Sequence, residues 1–246
     1  MRPFAFLVLL AAVSPAADAP KGHPPEVERV FKELDLAPTD LPLGELAKGY
    51  EADAVTEAEV RNDPKKYPVR MKVLDALDAL SAARRLTAEE MIVTGYDENT
   101  KKAVRVRQEA LATSIAELEE AVADLTAVAD ARRDETKRWQ AHYDFVLAEC
   151  RLRIASLTVQ NAAYGRVIVE ELPELNKALG ETGWKLVASE SLPKAPGLKK
   201  ATEVALAGMK DLAATYEHTP WGKAAERAVR KPMGLAWEPT KLALRD

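Results

Sequence analysis

The sequence predicts an all-α protein: a helical bundle built on a long antiparallel helical hairpin. Three observations support this prediction. No proline occurs between Pro68 and Pro173. Neither glycine nor proline occurs between Gly95 and Gly165, and both residue types interrupt helices. Within that stretch apolar residues recur every three or four positions, which is the spacing of one helix face.

Residues 1–19 have the pattern of a secretory signal peptide. Met1-Arg2 forms a short positive head, Phe4 to Val13 is an unbroken apolar run, and small residues follow. The run is about half the roughly 20 residues needed to span a bilayer, so a cleaved leader is expected and not an anchor. With cleavage near Ala16 to Ala19, the mature chain would be periplasmic or secreted, without a transmembrane segment. A buried N-terminal helix is the alternative.

Residues 20–66 are predicted to form an irregular N-terminal segment, because prolines and glycines interrupt it repeatedly. One short amphipathic helix is expected there, through Val27, Val30, Phe31 and Leu34. The core, residues 67–172, begins with a helix predicted over Pro64 to Ala83. Its apolar residues are spaced by four, four and three, and they are Val69, Val73, Leu77 and Leu80.

The first arm of the hairpin is predicted from about Lys101. Its apolar residues alternate steps of four and three, as in the heptads of a coiled coil. They are Leu111, Ile115, Leu118, Val122, Leu125 and Ala129. The flanking positions include Ala112, Ser114 and Ala121 where a two-stranded coiled coil would carry charges. The apolar face is therefore wide, which favours a bundle of several helices.

The polar run Asp130 to Thr136 predicts the reversal of the chain. Asp134 or Thr136 can cap the second arm, whose apolar line begins at Trp139. A stutter after Cys150 locally unwinds any supercoil. Because Cys150 lies on the apolar line, it is interpreted as a small buried hydrophobe and not as a reactive thiol.

The richest group of chemistry-bearing side chains begins at Trp139. On a helix Trp139, His142 and Tyr143 share a face, whereas Asp144 points about 100° away from Tyr143. A local His–Asp pair is therefore poorly placed, and His142 needs partners from elsewhere to act as a general base. One hypothesis is an aromatic core with His142 at its polar edge. The other is a ligand-binding pocket formed by Trp139, His142, Tyr143 and Asn161, although Asn161 could equally fix the register of the helices.

Motifs of the common enzyme classes are missing from the sequence. It contains no Gly-x-Gly-x-x-Gly, Walker loop, Gly-x-Ser-x-Gly or His-Glu-x-x-His pattern. One cysteine and three histidines provide few ligands for a metal site. A net charge of −4 does not indicate the basic surface that binds nucleic acid. We therefore predict no catalytic residue, no cofactor, no metal and no nucleic-acid partner.

Residues 173–246 are predicted to form a helical hairpin and a tail. Thr219 and Pro220 have the cap and first-position pattern of a helix start, and Pro232 to Asp246 should be extended at first. The apolar and small residues of the two helices are Ala201, Ala205, Leu212, Tyr216, Trp221, Ala224, Ala225 and Val229. Their arrangement resembles one junction of a tetratricopeptide array. No second copy of the repeat is found, so a plain hairpin is the alternative.

Two longer motifs resemble an uncharacterised family of secreted helical proteins from planctomycete bacteria. The first is Lys137 to Ala148 (KRWQAHYDFVLA); the second joins His218 to Trp221 (HTPW) with Pro232 to Trp237 (PMGLAW). The resemblance covers the chain from about Ala103 onward. It implies secretion and a helical fold, and it transfers no catalytic residue.

The sequence therefore favours a non-enzymatic, extracytoplasmic scaffold or protein-interaction module. Wide apolar helix faces and missing catalytic motifs support this prediction. The expected partners are proteins of the cell envelope or further copies of the chain. The alternative is a small-ligand binder or enzyme that uses the pocket near His142.

Overall fold

The computed structural model describes residues 25–37, 40, 44–51, 54–86 and 91–241. The expected signal peptide, residues 1–19, lies outside these ranges. The described chain is mostly helical, which confirms the broad form of the fold prediction. It also contains an antiparallel three-stranded sheet, so the all-α prediction is wrong in this respect.

Seven α-helices and three strands occur in the described part of the chain. In order they are α1 (Pro25–Glu33), α2 (Glu57–Asn62), α3 (Pro68–Arg84), β1 (Ile92–Val93), α4 (Glu98–Ala127), α5 (Lys137–Ile168), β2 (Gly183–Ser189), α6 (Leu198–Thr215), α7 (Pro220–Val229) and β3 (Gly234–Thr240). None of these helices combines the length and the apolarity needed to cross a membrane.

The two longest helices, α4 and α5, lie side by side and run in opposite directions. The chain reverses through a short 3-10 turn, Ala131–Asp134. The Thr136 hydroxyl then caps α5 by accepting a hydrogen bond from the Trp139 backbone N–H. Further along, the Tyr143 hydroxyl donates to the Leu125 carbonyl over 2.7 Å. The reversal falls within the polar run where the sequence predicted it.

Helix α3 packs against both long helices through its apolar face. It begins at Pro68, four residues later than predicted, because proline is suited to the first turn of a helix, where no backbone N–H is required. The four residues that the spacing identified are all at most 1% exposed: Val69, Val73, Leu77 and Leu80. The predicted core face is therefore the observed one.

Helices α6 and α7 pack against α5 and against each other. The Thr219 hydroxyl accepts a hydrogen bond from the Gly222 N–H, and Pro220 occupies the first position of α7. Trp221 then enters the core with no exposed surface. Ala201, in contrast, is exposed, so the predicted inner face of α6 does not extend to its N-terminal end.

The sheet has the order β1-β2-β3, and both pairings are antiparallel. Leu186 of β2 pairs with Trp237 of β3, and the Trp237 indole N–H donates to the Ala163 carbonyl of α5 over 2.8 Å. A seven-residue strand with few inward apolar side chains gives little periodicity to detect. Its partner is about fifty residues away in sequence, so only tertiary pairing reveals it. The predicted C-terminal tail contains β3.

Candidate functional site

His142 lies inside an aromatic cluster, which we define as Phe31, Trp139, His142 and Trp221. The imidazole is fully buried. Its ring centroid is 5.2 Å from those of both tryptophans and 5.8 Å from that of Phe31. The three neighbours come from α1, α5 and α7. His142 is thus in an aromatic core, and it is deeper than the polar edge that the sequence suggested.

The hydrogen bonding of His142 defines its protonation state. The Trp221 indole N–H donates to Nδ1 over 3.2 Å, so the neutral ring carries its proton on Nε2. Burial, followed by the nearby Arg138 and Arg70 charges, holds the pKa of His142 well below its usual range. A neutral imidazole with no exposed surface cannot exchange protons with a substrate in solution.

The residues proposed for a pocket around His142 do not converge on one cavity. Trp139 and His142 touch, but the Tyr143 hydroxyl is bonded to the backbone of α4. Asn161 lies nineteen residues further along α5, or roughly 28 Å at 1.5 Å per residue. There its Oδ1 accepts from the Gln108 side-chain amide over 2.9 Å. The hypothesis of a shared pocket is therefore corrected: Asn161 joins the two long helices.

Asp144 belongs to a polar cluster on the other side of α5. Arg132 donates to both of its carboxylate oxygens, and the Tyr216 hydroxyl donates to Oδ2 over 2.6 Å. Burial, reinforced by this hydrogen bond to Asp144, raises the pKa of Tyr216 above its usual range. The cluster fastens the end of α6 to the first half of α5, so Asp144 serves α6 and not His142.

Beyond this cluster a groove runs between α5 and α6. It consists of two adjoining cavities of about 250 and 470 Å³ that share Arg151, Val204 and Ala205. Val204 is 61% exposed although it is a large aliphatic residue. We call this feature the α5–α6 groove; its lining includes Asp144, Leu147, Ala148, Arg151, Ile154, Ala155, Thr158, Lys200, Ala201, Val204, Ala205, Gly208 and Asp211.

Sequence reasoning missed this groove. Small residues at Ala201, Ala205 and Gly208, in steps of four and three, were a signal that one face of α6 is flat. The sequence alone does not say whether another helix covers that face. Within the described ranges no other element covers it at Val204.

Cys150 and the acidic residues form no metal centre in the described part of the chain. Cys150 is fully buried, and burial raises the pKa of its thiol to about 12. This agrees with its interpretation as a core hydrophobe, since the thiolate is the reactive form.

Comparison of the chain with family models, curated proteins and solved structures found no match.

Proposed function

We propose that the protein is an exported, non-enzymatic interaction module that holds an amphipathic helix of an envelope protein in the α5–α6 groove. The observation that carries this proposal is the exposed apolar strip between two packed helices, with Val204 at its centre. Exposed apolar surface of this kind marks binding surfaces in soluble proteins, and grooves between helices commonly receive a third helix.

The dimensions of the groove fit a helix. From Asp144 to Thr158 it follows fifteen residues of α5, which span about 21 Å at 1.5 Å per residue. A partner helix of about fifteen residues therefore fills it. Ala201, Ala205 and Gly208 give one wall a low profile, so the partner backbone can approach closely while its large apolar side chains contact Leu147 and Ile154.

Charges on the rim define the chemistry of the partner. Among the described residues Arg151, Lys200 and Asp211 have no ion-pair partner within 4 Å, while Asp144 is already engaged by Arg132. Lys200 and Asp211 are eleven residues apart on α6, or about 16 Å along its axis. The partner helix should therefore carry an acidic residue at the end that faces Lys200, a second one near its middle that faces Arg151, and a basic residue about three turns from the first.

The proposed setting rests on the sequence. The positive head and apolar run of residues 1–19 support export, and the two long motifs resemble secreted planctomycete proteins. Packing of α3 and α6 against the long helices supports a helical bundle, and the α6–α7 junction supports a tetratricopeptide-like end. An envelope protein is then the partner that the chain would meet.

Site-specific photo-crosslinking tests this proposal. Benzoylphenylalanine would replace Val204 in the groove, and in a matched control it would replace Val106, which is 58% exposed on α4. Irradiation of envelope extract should give one crosslinked protein at position 204 and none at 106. Mass spectrometry should map the crosslink to an amphipathic helix with the charge pattern given above, and a synthetic peptide of that segment should compete.

The substitution Val204→Asp should abolish capture and binding of the synthetic helix, whereas Val106→Asp should leave both unchanged. Equal crosslinking at the two positions would contradict the proposal. So would crosslinks from position 204 that map only to a second copy of the chain, because they would make the groove a site of self-association.

A further inference from the structure

A second cleft lies at the other side of α6, where two loops meet. One loop joins β2 to α6 and the other joins α7 to β3. The cleft has a volume of about 590 Å³, within the range of small-molecule sites. It shares no lining residue with the α5–α6 groove, so its function can be tested separately from the one proposed there.

Thr202 of α6 lines this cleft, and within the described chain its hydroxyl group is buried without a hydrogen-bond partner. The residue is 3% exposed, and its Oγ1 has no hydrogen-bond partner among the described residues. Helical threonines usually donate to the carbonyl four residues earlier. Four others in this chain do so: Thr113, Thr126, Thr158 and Thr215. Thr202 differs from these four, because its hydroxyl is left unpaired by the described residues, on a helix that borders an open cavity.

The charges around the cleft are mainly positive. Four basic residues line it against two acidic ones, Glu190 and Glu203. Lys199 is 3.9 Å from Glu203, and Arg230 forms an ion pair with Glu226 outside the cleft. Lys194 and Lys231 have no carboxylate within ion-pair distance in the described chain. Neither lysine is in an ion pair with a described residue, and Lys231 also acts at longer range on the carboxylate of Glu149.

The remaining wall of the cleft is apolar. Leu192, Leu206 and Met233 contribute its larger side chains. Leu206 and Met233 also pack against the hydrophobic core, so this wall is anchored. A ligand that fits must combine one anionic group with an apolar body.

We propose that this cleft binds a small amphiphilic anion with a carboxylate or phosphate head group. The head group accepts a hydrogen bond from the Thr202 hydroxyl and is attracted by Lys194 and Lys231. The apolar body lies against Leu206 and Met233. An uncharged molecule of the same length would lose both polar contributions, because the hydroxyl and the lysines recognise the head group.

Calorimetry and NMR with three probes of equal chain length test the site on the purified protein. The probes are octanoate, octyl phosphate and octanol. At least one of the two anions should bind with one-site saturation and should shift the amide signals of Thr202 and Lys194. Octanol should bind at least about tenfold more weakly, the equivalent of one hydrogen bond to a charged group. The tighter of the two anions identifies the head group.

Substitutions then identify the contacts. Thr202→Val keeps the side-chain shape and should weaken anion binding by about tenfold, while octanol binding stays unchanged. Lys194→Gln and Lys231→Gln should each weaken anion binding about threefold, which is typical of an exposed charge. Both substitutions should also reduce the salt dependence of anion binding. Lys210→Gln is the matched control, because Lys210 is exposed on α6, next to the cleft, and does not line it.

Three results would overturn the proposal: no saturable binding of either anion, equal affinity for octanol, or lysine variants that bind like Lys210→Gln. Circular dichroism reports whether Thr202→Val has folded. Should it not fold, the double variant of Lys194→Gln and Lys231→Gln decides the question, because both lysines are at the surface.

Discussion

At the scale of single residues, His142 contributes to how the stability of the protein responds to acid. A histidine in the unfolded chain titrates with a pKa near 6.5, whereas burial holds the pKa of His142 well below that value in the folded state. The unfolded chain therefore accepts a proton that the folded protein excludes. The contribution of His142 to stability is complete above about pH 6.5 and decreases as the pH falls further.

The substitution His142→Gln should remove this pH dependence. Glutamine keeps an acceptor for the Trp221 indole but does not titrate. Between about pH 6.5 and 5.5 the wild-type free energy of unfolding should fall by about 1 kcal/mol more than that of the variant, because the unfolded histidine goes from about half to about nine-tenths protonated over this range. Urea unfolding at both pH values measures the difference.

His218→Gln provides the control for this prediction. His218 is exposed, with a side-chain accessibility of 73%, so its replacement should leave the wild-type pH dependence in place. An unchanged slope in His142→Gln would mean that the buried imidazole is protonated in the folded protein.

The sequence identified the individual residues of the candidate site better than their partners. It placed Trp139, His142 and Tyr143 on one helix face, and all three are buried. It did not predict the hydrogen bond from the Trp221 indole to the imidazole, because the two residues are 79 positions apart. Long separations of this kind leave no periodic trace in the sequence.

At the scale of elements, the β2–β3 pair depends on one glycine. A Cβ atom at Gly234 would lie 2.2 Å from the Ser191 carbonyl oxygen and 2.5 Å from that of Ser189. Both atoms belong to the backbone and cannot move aside as a flexible side chain would. The first residue of β3 can pair closely with the end of β2 only without a side chain.

We therefore expect Gly234→Ala to destabilise the protein by about 2–3 kcal/mol, the typical cost of overpacking a rigid contact. Hydrogen exchange should show that protection is lost in β2 and β3 first. The control is Gly208→Ala, where the added methyl group meets nothing within 4 Å. In the interior of α6 this change should stabilise the protein by about 0.5–1 kcal/mol. A Gly234→Ala protein as stable as the wild type would contradict the close approach.

The helices and the strands differ in how far they could be predicted. The break between α4 and α5 was visible as a polar run, because capping and polarity are local properties. Strand β2 was not visible, since Trp184 and Leu186 are its main buried side chains and its partner is distant. Local signals predict helix ends, whereas pairing decides the sheet.

At the scale of the whole molecule, Trp221 connects the two ends of the chain. It is fully buried, and its ring centroid is 5.8 Å from that of Phe31 in α1 and 5.5 Å from that of Tyr50. Helix α7 thereby contacts a helix about 190 residues earlier in the sequence. The N-terminal segment is held in place by the C-terminal part of the chain.

The substitution Trp221→Ala should therefore release α1 as well as destabilise the core. We expect a loss of about 3–5 kcal/mol, as for other buried aromatic residues. Hydrogen exchange should show faster exchange in α1 around Val30 and Phe31. Trp184→Ala is the comparison, because Trp184 stacks on Tyr96 at the sheet and should leave the exchange of α1 unchanged. Unchanged exchange of α1 in Trp221→Ala would contradict this role.

The sequence by itself determined the helical character of the chain, the cap and reversal between the long helices, and the apolar face of α3. Each of these depends on residues within a few turns of one another, so composition and spacing are sufficient. The tertiary structure alone decided the sheet and the burial of His142 against Trp221. It also decided the separation of Asn161 from the aromatic cluster, the α5–α6 groove and the second cleft beside α6. These depend on which distant segments meet and on which faces no other segment covers, and such contacts exist only once the chain has folded.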